Sequence, residues 1–175
     1  MACSLALRPF VEADRPAVLA LFDANAPTYF APGERGWLED SLDDLEGPAF
    51  LVTVDGAVAA FGGYEIWDYY NKALLCWGMA HPQHHGRGLG RWLLSARLVL
   101  IAEEDPPTRW VTVDTSPKVA PFFLSQGFET AGVWPHGYRT GGEMHVLRFD
   151  LATTDIAALR RRSDAARHAA EERCG

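Results

Sequence analysis

No apolar run in this chain approaches the ~20 residues that a membrane span needs. Its N-terminus lacks a basic segment followed by a long apolar core, so no secretory signal is expected. No Cys/His spacing suits zinc, and no metal is expected. Cysteine itself is scarce. Cys3, Cys76 and Cys174 are odd in number and scattered, which predicts free thiols in a reducing cytoplasm. Internal repeats and low-complexity linkers are also missing. Basic charge is in short supply: the formal net charge is −7, with −8 in residues 1–150 and +1 in residues 151–175. That balance argues against nucleic acid as a partner. It suits a cationic substrate, although ordinary solubility explains it equally well.

What is present is apolar and aromatic. Nearly half of the 175 residues are apolar, with nine Phe, six Trp and five Tyr, so the chain is expected to be globular rather than disordered. The length suits one domain with a sizeable core.

The chain is organised around residues 76–96, C-W-G-M-A-H-P-Q-H-H-G-R-G-L-G-R-W-L-L-S-A. The lead-in over 73–80 is short, apolar and stopped by Pro82, which predicts a buried strand. Leu89, Trp92, Leu93, Ala96 and Leu100 then form a helical stripe facing a core. Between them, alternate glycines in Gly86-Arg87-Gly88-Leu89-Gly90 leave backbone N–H groups free to converge on an anion at the helix N-terminus. Arg87 and Arg91 add positive charge. The spacing is wrong for a dinucleotide fold, because Arg91 occupies the third glycine position. It is wrong for a P-loop, because no G-K-[ST] closes the turn. By itself the stretch is equally a Gly-rich turn without a ligand.

Elsewhere the pattern predicts a first strand over 4–8 and a helix opened by Asp14-Arg15-Pro16, with Asp14 as N-cap. A loop over 25–36 carries exposed Tyr29 and Phe30, and a second helix covers 37–45. Around it Glu34, Glu39, Asp40, Asp43, Asp44 and Glu46 face Arg35 alone. The Asp55-Gly56 pair between two β-rich runs signals a hairpin over 50–67. A strand over 110–115, a short helix from Ser116-Pro117 to Gly127, strands over 130–134 and 144–151, and a terminal helix capped by Thr153-Thr154-Asp155 complete the chain. The order predicts an α/β (α+β) domain around one mixed sheet.

Two motifs in this order resemble one family. His85-Gly86-Arg87-Gly88-Leu89-Gly90 is similar to the [Q/R]-x-x-G-x-[G/A] pyrophosphate loop of the GNAT acyltransferase superfamily, with His85 in place of Gln or Arg. The alternative frame, Gln83-x-x-Gly86-x-Gly88, fits the flanking distances less well. Ser116, Val119, Phe122, Phe123, Gly127 and Phe128 match the family's N-x-x-A-x-x-F-Y-x-x-x-G-F helix, with Ser for Asn and Val for Ala. The resemblance implies an N-acetyltransferase domain over 1–151, followed by a C-terminal helical extension over 152–175. It implies acetyl-CoA or another acyl-CoA as co-substrate, a small amine as acceptor, and a cytoplasmic location; a homodimer is left open. The acidic run from Glu34 to Glu46, which would wall the acceptor site, offers a cationic amine only as the alternative to a plain solvated face. Met79 and Ala80 would offer backbone groups to the pantetheine arm. His85, Gly86, Arg87, Gly88, Leu89, Gly90 and Arg91 would hold the pyrophosphate. Ser116, Phe122 and Phe123 would flank the arm.

Two positions depart from the family pattern. Leu74 stands about where some members carry a basic glutamate, and Phe123 replaces the tyrosine often assigned to protonate the thiolate. Glu65, on an otherwise apolar strand, is the substitute base, set against a plain strand-edge carboxylate. Tyr138 or Tyr64 is the substitute proton donor, each set against simple packing. His81, His84, His85, His136 and His145 are further candidates on sequence, though such histidines more often lie at the surface. The 134–139 segment, W-P-H-G-Y-R, is either a substrate platform or a loop staple, and Arg160, Arg161 and Arg162 form a solvated helix face. The competing class is a GNAT-like domain that has lost its acid and base and only binds acyl-CoA.

Overall fold

Residues 3–174 are described by a computed structural model. Their elements run β1 (Leu5–Pro9), α1 (Arg15–Asn25), α2 (Arg35–Asp43), β2 (Ala49–Val54), β3 (Ala57–Trp67), β4 (Lys72–Ala80), α3 (Leu89–Ala102), β5 (Trp110–Thr115), α4 (Ala120–Ser125), β6 (Glu129–Trp134), β7 (Met144–Asp150) and α5 (Ile156–Cys174). One seven-stranded sheet has the order β1-β2-β3-β4-β5-β7-β6. All neighbours are antiparallel except β4 and β5. This is the mixed α+β sheet that the sequence implies.

Alternation along the strands decides which helix covers which face. Leu51 and Phe61 pack with Val18 and Phe22 of α1 and Leu38 and Leu42 of α2. Their neighbours Val52 and Ala60 point the other way, onto Leu89, Trp92 and Leu93 of α3. Further along α3, Leu94, Leu98 and Ile101 meet Ala73, Leu75 and Val111, with Phe123 of α4 and Leu147 of β7 beside them. Each fully buried Val, Leu, Ile or Phe among them contributes roughly 1.5–3 kcal/mol. The hairpin turn is held by positive φ at Asp55 (49°) and Gly56 (84°), as a type I′ turn requires.

The terminal helix packs on its own domain. Leu159, Ala166 and Ala170 are its buried stripe, and the two alanines join the cluster around Leu89 and Trp92 of α3. Arg160 donates to Glu103 at the C-terminal end of α3, while Ala170 and Arg173 approach Gly88 at its N-terminal end, so α3 and α5 run antiparallel. The arginine run is not a uniformly solvated face: Arg162 is half-buried and donates to the Gln126 carbonyl (2.8 Å) and side chain (2.9 Å).

Three further expectations need correction. Cys3 and Cys174 are joined by a disulfide, with Cα atoms 5.7 Å apart, so among the described cysteines only Cys76 is free. A separation of 171 residues hides the pair in the sequence, yet the start of β1 and the end of α5 meet in one cluster with Leu5 and Ala170. Asp14 does not cap α1 with its side chain; it accepts from Arg8 (2.7 Å) and from the Val11 backbone (3.0 Å), tying a short 3₁₀ turn to β1. Phe30 is half-buried against Phe22 and Trp77 rather than exposed.

Two irregularities of the sheet create space. β4 and β5 pair only over Lys72–Leu74 and Trp110–Thr112, after which the strands separate. Asn71 locks the closed end, its side chain accepting from Arg109 N (2.9 Å) and its carbonyl from Trp110 N (3.2 Å). The second is a bulge. Between the pairs Phe61↔Met79 and Gly63↔Cys76, β4 carries one residue more than β3, and Trp77 there has φ of 52°.

Candidate functional site

A cleft of about 870 Å³ opens where β4 and β5 part. The glycine loop forms its floor. Gly86 (φ 76°) and Gly88 (φ 92°) both adopt left-handed backbone, a conformation open to glycine and strained for side chains with a Cβ. Nothing lies within 4 Å of a Cβ built on Gly86, so the loop amides are bare on that side. Leu89 is buried in the core and offers the cleft only backbone. Gly90 lies 3.9 Å, measured from its virtual Cβ, from the ring of Phe122.

Of the twelve residues expected to hold a cofactor, eleven line this cleft: Met79, Ala80, His85, Gly86, Gly88, Leu89, Gly90, Arg91, Ser116, Phe122 and Phe123. Arg87 is exposed and does not line it. His85, at the leading motif position, is a strut: its Nε2 lies 2.9 Å from the Ala80 carbonyl. Buried Asn25 donates to the same oxygen at 3.0 Å, so that carbonyl is already twice engaged. His84 lines the cleft with a buried Nδ1 that has no partner among the described residues, and burial, then Arg87 and His81, holds its pKa below the ordinary value. Bare left-handed glycines, nearby guanidiniums and an orphaned imidazole nitrogen together fit a polyanionic ligand.

Beneath the bulge lies Arg97 of α3, wholly buried and without a carboxylate partner among the described residues. Its Nη1 donates to the Gly63 carbonyl (2.9 Å) and more distantly to that of Cys76 (3.5 Å), two acceptors of the irregular ladder. A Cβ on Gly62 would come within 2.8 Å of the guanidinium, and one on Gly78 within 3.1 Å. Burial lowers the Arg97 pKa to about 10, so it stays charged at neutral pH.

A second pocket, of about 380 Å³, lies between the end of α2 and strands β3 and β4, and shares Trp77 with the cleft. Asp40, Asp44, Glu46 and Glu65 line it with Phe61, Cys76 and Trp77. The acidic run divides on folding. Glu39 pairs with Arg35 and Asp43 with Arg15, and Glu34 accepts from the Ala31 backbone (2.6 Å). Asp40, Asp44 and Glu46 have no cationic partner within 4 Å among the described residues. Gly47 fixes the pocket wall, because a Cβ there would sit 2.0 Å from the Tyr64 carbonyl oxygen. Gly47→Ala is therefore expected to destabilise the fold by about 1–3 kcal/mol, measured by urea unfolding, since backbone must move to admit the methyl.

Glu65 is half-buried in this pocket, directly across the β3–β4 pair from Leu74. It accepts from Trp67 Nε1 (3.1 Å) and from the Cys76 thiol (3.4 Å). Burial, reinforced by Glu65, drives the Cys76 pKa far up, so this thiol is no nucleophile at neutral pH. Tyr138 lines the large cleft. Its pKa is raised by burial first and then by Glu34 and Asp114. Tyr64 is buried, with its hydroxyl given to Glu104 (2.8 Å). The histidines divide as well: His81 accepts from Gln83 N (3.2 Å), His145 bonds Glu143 (2.8 Å), and His136 bonds the Gly141 carbonyl (3.1 Å). In the 134–139 segment Arg139 stacks over Trp37 of α2 at 4.3 Å, while Trp134 is 57% exposed.

Sequence reasoning missed Arg97, Asn25, Arg173 and Asp114, all on the wall of the cleft. Arg97 alone left a signal, a charge inside the apolar run of α3. Asp114 is solvent-exposed where it lines the cleft, and its pKa is raised by partial desolvation and in part offset by Lys72.

The fold is widely shared. A ribosomal-protein-alanine N-acetyltransferase from Brucella melitensis is 21% identical, matches 83% of this chain and 99% of its own, and superposes with a TM-score of 0.64. A spermidine N-acetyltransferase chimera from Vibrio cholerae and hSSAT is 15% identical over 85% and 96% of the two chains, with a TM-score of 0.67. The yncA protein of Salmonella typhimurium, solved with its cofactor acetyl-CoA, is 18% identical over 87% and 96%, with a TM-score of 0.65. No curated protein matches the chain. The acetyltransferase (GNAT) family model matches residues 18–128, from within α1 to just past α4, and so contains the glycine loop, the bulge and most of the cleft wall. The chain belongs to the GNAT acetyltransferase family.

Proposed function

We propose that this acetyltransferase moves the acetyl group of acetyl-CoA onto the amine of a small cationic acceptor. The observation that carries this reading is the meeting of two unlike pockets at Trp77: a large cleft floored by bare glycine amides, and a small acidic one. The solved yncA structure, which holds acetyl-CoA, supports the choice of donor. When bound, acetyl-CoA supplies an activated thioester carbonyl.

The chain's residues would do the rest. Asp40, Asp44 and Glu46 hold the acceptor's positive charge without touching the reacting atoms. An amine of pKa ≈ 10.4 is neutral at pH 7 only to roughly 0.04%, so the nucleophile needs a base. Glu65 is that base: it lies in the acceptor pocket opposite Leu74, where the family resemblance places a glutamate. The backbone at Trp77 and Gly78, freed from the ladder by the bulge and underlaid by charged Arg97, polarises the carbonyl. Tyr138 keeps its proton because its pKa is raised, and donates a hydrogen bond to the sulfur as charge develops there.

Initial rates of thiol release across a panel of cationic, neutral and anionic amines test the acceptor class. The KM of the best amine should rise with salt, because charges beyond a Debye length of ~10 Å at 0.1 M are screened. Asp40→Asn with Asp44→Asn should raise that KM about tenfold and leave kcat nearly unchanged, since both groups bind without reacting. Salt should then do little more. A salt-insensitive KM, unchanged in the double variant, would reduce this surface to a plain solvated face.

A further inference from the structure

The extension beyond the family match also reaches the glycine loop. Arg173, on the last turn of α5, lines the large cleft, and its Nη1 stands 3.6 Å from the position a Cβ on Gly88 would take. Among the described residues it has no carboxylate within 4 Å, whereas Arg160, Arg161 and Arg167 of the same helix each have one. Its surroundings are already cationic. Arg91 lies in the first turn of α3, and the pKa of half-buried Arg162 is lowered by burial and then by Arg91. Arg91 and Arg173 both line the cleft at the amide-rich start of α3 with no acidic partner among the described residues, and they repel one another unless an anion lies between them.

The covalent geometry adds to this. Helix ends fray, and Arg173 sits one residue before the last described one. Cys174 removes that freedom, because its bond to Cys3 fastens the final turn of α5 to the start of β1. A long side chain on a fastened turn loses less freedom when it closes on a ligand.

We propose that Arg173 is a phosphate-binding residue of the acyl-CoA site, presented by α5 and held in place by the Cys3–Cys174 link. The proposal rests on the acyl-CoA reading given above. It makes the C-terminal extension part of the cofactor site as well as a cover for α3.

Calorimetry with CoA and with dephospho-CoA, which lacks the 3′-phosphate, tests it on the full-length protein. Arg173→Gln should weaken CoA binding about tenfold with an unchanged melting temperature, and Arg173→Lys should recover most of the loss. A loss seen only with CoA assigns the contact to the 3′-phosphate, and an equal loss with both ligands assigns it to the pyrophosphate. Cys174→Ser, read below its own unfolding range, should weaken binding to a similar extent, and adding Arg173→Gln should cost little more. Unchanged affinity in Arg173→Gln would overturn the assignment, as would a loss that tracks the melting temperature and resists rescue by lysine. Wild-type affinity in Cys174→Ser would overturn the role of the link. Failure of the wild type to bind either ligand would instead overturn the acyl-CoA reading itself.

Discussion

Gly88→Val is expected to weaken acyl-CoA binding well beyond tenfold, more than ~1.4 kcal/mol. Two effects act together. At φ of 92° a β-branched residue is strained by roughly 1–3 kcal/mol, so the loop must rearrange to accept valine. The new side chain would also start 3.6 Å from Ala170 and Arg173, and would cover amides that now face the cleft. Gly86→Ala separates the two effects, because φ is positive there too (76°) while nothing lies within 4 Å of the added Cβ. Gly33→Ala is the control, having neither strain nor neighbours. Calorimetry with CoA reads all three. Wild-type affinity in a folded Gly88→Val protein would mean that the loop is only a turn.

Glu65→Gln should lower kcat by ~10²–10⁴ while leaving CoA affinity intact. The separation is expected because Glu65 lines the small acidic pocket and the glycine loop floors the large cleft. Glutamine keeps the shape and one of the two acceptor oxygens, so it holds either Trp67 Nε1 or the Cys76 thiol, and the loss of one bond at this partly exposed site should leave the fold standing. Asp114→Asn gives the assignment its rival. If kcat holds within a few-fold in Glu65→Gln and collapses in Asp114→Asn, the proton goes to Asp114.

Local signals carried much of this fold. Asp55-Gly56 named its hairpin because only positive φ at both positions matches the strand twist. The apolar run into Pro82 and the stripe from Leu89 marked β4 and α3 on either side of the loop. What stayed hidden depends on partners distant in sequence. Glu39 and Asp43 read like their neighbours Asp40 and Asp44 until folding pairs them with Arg35 and Arg15. His85 looks like a phosphate ligand by position, yet its imidazole braces Ala80. Nothing in the spacing of Cys3 and Cys174 announces a bond, and Arg173 becomes a cleft residue only because α5 runs antiparallel to α3. The bulge at Trp77 was equally silent, since an extra residue on one strand shows only against the register of the next.

The most direct measurement is to incubate the protein with acetyl-CoA labelled in its acetyl group and a cationic amine, then weigh the amine by mass spectrometry. The expected result is label on the amine nitrogen, released together with one equivalent of free CoA, faster for cationic acceptors than for anionic ones and absent in Glu65→Gln. Label that never leaves acetyl-CoA with any amine tried, under conditions where calorimetry shows the cofactor bound, would contradict transfer. The domain would then be one that binds acyl-CoA without turning it over.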